Sequence, residues 1–140
     1  MTSTPFSPVI RTQSDLLATW RRLMEPLGFG GPSIWMLLIQ ADGVPLPQLT
    51  EIAEADRPPD LDEAAGLAST LAAVLEEHPG SRWAFLRSRP GRHGPDECDR
   101  AWARVLLEAC RGAGVATDVV HLATDERLVP LPEDDLALPA

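Results

Sequence analysis

Apolar residues recur along this chain in two rhythms, and their alternation outlines a fold. Leu16, Leu17, Trp20, Leu23, Met24 and Leu27 follow an i, i+3, i+4 spacing that predicts an amphipathic helix over residues 14–27. Ser14 or Asp15 can cap it, and Pro26 with the Gly28–Gly31 stretch ends it. Ser33 to Gln40 (SIWMLLIQ) is a continuous apolar run of strand length, which predicts a central strand buried on both faces. Asp42-Gly43 reads as a hairpin turn, making Val44 to Ile52 the antiparallel partner. Pro45 and Pro47 confine that partner to an edge of the sheet or to a broken strand.

A second helix is predicted from Asp60 or Asp62 to His78, with Leu61, Ala65, Ala68, Leu71 and Leu75 on one face and Pro79-Gly80 as its stop. Arg82 to Ser88 is the next strand, and Pro90 to Pro95 a loop. Asp96 is an N-cap for a third helix running to Arg111, broken by Gly112 and Gly114. Thr117 to Ala123 and Arg127 to Leu131 complete the strands. The order α-β-β-α-β-α-β-β predicts an α/β fold, a three-layer α/β/α sandwich with a mixed sheet. No repeat or linker divides it. The expected organisation is a flexible leader at 1–13, a single domain at 14–136 that includes the N-terminal helix, and a tail at 137–140.

Composition adds limits. The chain has 140 residues, 44% hydrophobic and 24% charged. That is enough to bury roughly two-thirds of the surface the unfolded chain exposes. All twelve cations are Arg and twenty-one residues are acidic, for a net charge of −9. An acidic balance weighs against a nucleic-acid binder, whose affinity rests on neutralising phosphates. Yet seven Args stand between positions 82 and 111 against four acidic residues, so that window is basic in an otherwise acidic chain. Such asymmetry can orient an anionic ligand.

Met1 to Arg11 has no apolar h-region, so no signal peptide is read there. Ile34 to Ile39, the longest apolar run, is far short of the roughly 20 residues of a membrane helix. A cytoplasmic protein without a membrane partner is expected. Cys98 and Cys110 fall on one predicted helix about 18 Å apart, too far to pair with each other.

The most unusual stretch is Arg87 to Asp99, R-S-R-P-G-R-H-G-P-D-E-C-D, at the carboxyl end of a strand, where α/β sheets usually bind ligands. It resembles the H-N-H-P-S-G…P-S-x-x-D signature of the RadC-like branch of the JAB/MPN metalloprotease superfamily. SIWMLLIQADGVPL is similar to that family's opening hairpin. VVHLATDERLVPL is similar to its closing D-H-x-I-I-x-D-x-x-x-x-S segment, with His121 on the family's His. The likeness covers residues 32–136 and implies the JAB/MPN, cytidine-deaminase-like architecture.

In that family two His and an Asp hold zinc, and an upstream Glu activates its water. Carried over, the His positions are Arg87 and Arg89, followed by Pro90; the Ser is Asp96, the Asp is Asp99 and the Glu falls at Ser33. Arg offers no lone pair and stays protonated, so two Args repel a divalent ion. The resemblance therefore implies a degenerate, non-catalytic member with no metal and no cofactor.

In this reading Arg87, Arg89 and Arg92 line a site that could hold an anion or carboxylate, supplied by a protein partner or a small ligand. Asp99 could instead be ion-paired with Arg87, Arg89 or Arg100. The alternative is a metal-dependent peptidase or hydrolase using displaced ligands His93, Asp96 and Asp99. Cys98, at a helix N-terminus, could carry a lowered pKa. Exposure of Trp20 and Trp35 would point to a homodimer or partner surface.

Overall fold

The computed structural model describes residues 8–132. Eight elements follow in chain order: α1 (Gln13–Met24), β1 (Ser33–Ile39), β2 (Pro45–Ala53), α2 (Leu61–Glu77), β3 (Arg82–Ser88), α3 (Glu97–Gly112), β4 (Val120–Ala123) and β5 (Leu128–Leu131). The predicted order of elements and the mixed α/β class stand. The strands form one five-stranded sheet in the order β2-β1-β3-β4-β5. β1 is antiparallel to β2 and β3, β3 is parallel to β4, and β4 is antiparallel to β5.

β1 is interior and buried almost throughout because its side chains meet helices on both faces. Ile34, Met36 and Leu38 join Phe85, Val120 and Leu122 beneath α2 and α3, whose Leu71, Trp102, Leu106 and Leu107 complete that layer. Leu37 and Ile39 point the other way, with Ala84, Leu86 and Ala123, against Leu16, Trp20 and Met24 of α1. The alternation is the period-2 rule of a strand read on both sides. β2, carrying Pro45 and Pro47, lies at a sheet edge as its prolines require.

All three helices begin with a capping box. Asp60 accepts from the Glu63 N–H and Asp96 from the Asp99 N–H, with the reciprocal bonds also made. Thr12, not Ser14 or Asp15, caps α1: its hydroxyl accepts from Asp15 N–H while the Asp15 carboxylate returns to the Thr12 N–H. The helix therefore starts at Gln13 and ends at Met24, short of the predicted residue 27. The stretch around Ile10, expected within a flexible leader, is held against the domain. Ile10 is buried, its N–H donates to the Gly43 carbonyl, and its own carbonyl accepts from Arg82. The leader's first seven residues, and the tail at 137–140, lie outside the described residues.

Two further expectations shift. The buried face of α2 is Ala64, Ala68 and Leu71; Leu61, its first residue, is 83% exposed, and Ala65 is exposed too. Trp20 is wholly buried, so it marks the core beneath α1 and not a surface, while Trp35 is half-buried.

Gly80, in the turn between α2 and β3, has φ +81, and a Cβ built there would stand 2.9 Å from the Ala41 Cβ. Gly80→Ala combines a left-handed backbone with a clash. Urea unfolding is expected to show a loss of about 1–3 kcal/mol, and an unchanged midpoint would contradict the packing of this turn against the hairpin.

Candidate functional site

Strand alternation decides which of the expected site residues meet. Arg87 lies on the same face of β3 as Trp83 and Phe85, the face beneath α3, and Arg89 two residues on returns to that side. Asp99 is the third residue of α3, where the Asp96 cap directs it toward β3. The result is a buried ion triad. Arg87 Nε donates to Asp99 Oδ1 at 2.7 Å, and Arg89 donates through Nε and Nη2 to both carboxylate oxygens at 2.8–3.0 Å. Asp99 is fully buried, and the side chains of Arg87 and Arg89 are 4% and 11% exposed.

The rest of each guanidinium is engaged as well. Arg87 Nη1 donates to the Ala55 carbonyl at 2.9 Å, its Nη2 lies 3.6 Å from Cys98 Sγ, and its Cζ is 5.9 Å from the centre of the Trp102 ring. Arg89 Nη2 donates to the carbonyls of His93 and Gly94, so the loop after β3 is wrapped around its fork. Burial works to raise the Asp99 pKa. The hydrogen bonds from Arg89, the Asp96 N–H and Arg87 outweigh it and hold the carboxyl below its ordinary value. The same contact with Asp99 pushes the Arg89 pKa up. Two guanidiniums against one carboxylate leave a formal +1 inside the fold, which the carbonyls of Ala55, His93 and Gly94 solvate.

This geometry corrects the expected anion seat. The carboxylate that Arg87 and Arg89 hold is the chain's own Asp99, so the ion-pair reading of Asp99 is the one realised, though Arg100 is not part of it. Arg100 donates to the Pro95 carbonyl and sits 3.7 Å from Glu97. Arg92 stands apart on the surface, 3.3 Å from Glu126. The three Args do not converge on one point.

Of the other expected positions, Asp96 is the helix cap and lies 3.8 Å from Arg89, while Pro90 and His93 are exposed in the loop. Ser33 and His121 project from the opposite side of the sheet, among the residues that face α1. His121 is buried and its Nδ1 has no hydrogen-bond partner among the described residues; burial pulls its pKa down to about 4. The Cys98 thiol is pushed up by burial despite Arg87 nearby, which reverses the expectation of an activated thiol. His93, Asp96 and Asp99 do not form a ligand set, and among the described residues no group of three His, Cys, Asp or Glu side chains is placed to hold a metal ion.

Sequence reasoning missed a second concavity at the same end of the sheet. Asp125 binds the two loops that flank this end, accepting from the Phe29 N–H at 3.1 Å and the Gly91 N–H at 2.8 Å, and both bonds lower its pKa. Between the 28–32 loop and the ends of β1, β2 and β3 lies an open cleft of about 550 Å³. Its walls include Ser33, Trp35, Glu51, Glu54, Asp56 and Ser88. Trp35 and Glu51 are direct cross-strand partners, as are Ser33 and Ser88, so these side chains share the sheet face toward α1.

No protein-family model matches this chain, and no curated protein matches it either. Among the described residues no helix is long and apolar enough to cross a membrane.

Proposed function

We propose that this chain is a non-catalytic binding or scaffold domain of JAB/MPN-like architecture. In this reading its own ion triad closes the position where the RadC-like resemblance puts a zinc ion. The observation that carries it is the double engagement of Asp99 by Arg87 and Arg89. A carboxylate already neutralised by two guanidiniums is a poor metal ligand, and the cations beside it repel a divalent ion. The peptidase or hydrolase alternative needs Asp99 free, together with His93 and Asp96. Freeing it would leave two buried guanidiniums unpaired.

Elemental analysis after dialysis against zinc is expected to find far less than one zinc per chain. The melting temperature should be the same with zinc, with a chelator, or with neither. Stoichiometric zinc accompanied by a metal-dependent rise in melting temperature would overturn the reading in favour of a metal-dependent enzyme.

A further inference from the structure

We propose that the cleft beside Trp35 binds a guanidinium group, presented either by a small guanidino compound or by an arginine side chain of a partner. The cleft is about 550 Å³, room for such a side chain, and three carboxylates, Glu51, Glu54 and Asp56, stand on its walls with no Arg among its lining residues. In a chain with twelve Args, a cleft whose charged lining residues are all acids favours a cation electrostatically.

Its floor is polar and set. Ser33 and Ser88 are both more than nine-tenths buried and line it. Ser33 Oγ donates to Glu51 Oε2 at 2.6 Å, which fixes that carboxylate and leaves the Ser33 lone pairs as acceptors. Trp35 Nε1 donates to Ser88 Oγ at 2.9 Å, which fixes the plane of the indole. An indole held by its edge, beside a carboxylate held by a serine, is a stacking platform next to a hydrogen-bond acceptor.

That pairing suits a planar, multiply donating cation better than a point charge. Guanidinium can lie over the ring and bond a carboxylate in its own plane, whereas a metal ion would need its oxygens converged on one centre. Among the described residues no such metal cluster exists. This inference deepens the binding-domain reading and rests on it, but the two fail separately: zinc content decides that reading, and cation binding decides this one.

The test is calorimetric titration of the intact chain with agmatine, with an acetylated, amidated arginine, and with cadaverine as an ammonium control. Saturable binding of a guanidino probe is expected, with a Kd on the order of 0.1–1 mM. Glu51→Gln and Trp35→Leu should each weaken it at least about tenfold, a step of roughly 1.4 kcal/mol. Glu54→Gln, at an exposed position just past the end of β2, is the variant least able to disturb folding and should weaken it about threefold, within the range of a single exposed charge.

Tighter binding of agmatine identifies a small-molecule ligand, and tighter binding of the blocked arginine a protein partner; both support the site. The proposal is overturned if neither guanidino probe saturates, if cadaverine binds as well as they do, or if folded Glu51→Gln and Glu54→Gln bind like the parent chain.

Discussion

Asp99→Ala is expected to be the most damaging single substitution in this chain, lowering unfolding free energy by about 3–5 kcal/mol. The carboxylate is fully buried between two guanidiniums that are themselves almost inaccessible to water. Removing it strands two positive charges and also takes away the acceptor of the Asp96 N–H at the start of α3. A domain of this size has only about 5–15 kcal/mol to lose, so the variant should unfold at much lower urea or accumulate as insoluble protein.

The control separates the cost of a broken triad from any intrinsic benefit of ions in the core. Arg87→Met, Arg89→Met and Asp99→Leu combined should lie within about 2 kcal/mol of the parent, because no charge is left unpaired. If Asp99→Ala unfolds at the parent's midpoint, the triad is not what holds the loop after β3 against α3.

The second large effect is acid lability centred on His121. Its pKa is pulled down to about 4 by burial, against an ordinary value of 6.5. Above pH 6.5 the imidazole is neutral whether the chain is folded or not, and its contribution to stability is intact. Between 6.5 and 4 the unfolded chain takes up a proton that the folded chain refuses, so stability falls as pH falls.

The slope is about 1.4 kcal/mol per pH unit and the total about 3 kcal/mol. Asp99, held below 3.8, adds its own loss only at still lower pH, when its carboxylate must be protonated. Denaturation curves for His121→Leu should be flat over pH 6.5–4.5, where the parent chain declines. A parent curve that is itself flat there would show that His121 takes up a proton while folded.

Much of the fold was legible in the sequence because local signals agreed with burial. SIWMLLIQ is apolar at every position a doubly covered strand must fill, Asp60 and Asp96 are caps with acidic residues three places on, and two prolines put β2 at the edge. The Thr12 cap was less legible because Ser14 and Asp15 compete with it in composition; the reciprocal bond with Asp15 decides. Arg87 and Arg89 could be placed on one side of β3 from their two-residue spacing, and Asp99 near them from the Asp96 cap. That Asp99 would satisfy both, to the exclusion of an outside anion, depends on the distance between β3 and α3, which no local pattern encodes.

The cleft was hidden for a more specific reason. Counting back from the Ile39–Pro45 pair next to the hairpin turn would put Trp35 opposite Leu49. An irregularity between Leu37 and Ile39 moves the partner on by two residues, so Glu51 stands beside the indole instead. Prolines at 45 and 47 make a regular ladder untenable near the turn, but they do not reveal how far the register moves.

The placement of prolines has a consequence for how copies of this chain behave when crowded. Both margins of the sheet are interrupted: β2 by Pro45 and Pro47, and β5 by Pro130. Each proline deletes an amide donor from a row that another molecule's strand would have to read. Templated growth by strand addition, the route to fibrils, is thus disfavoured at both ends of the sheet.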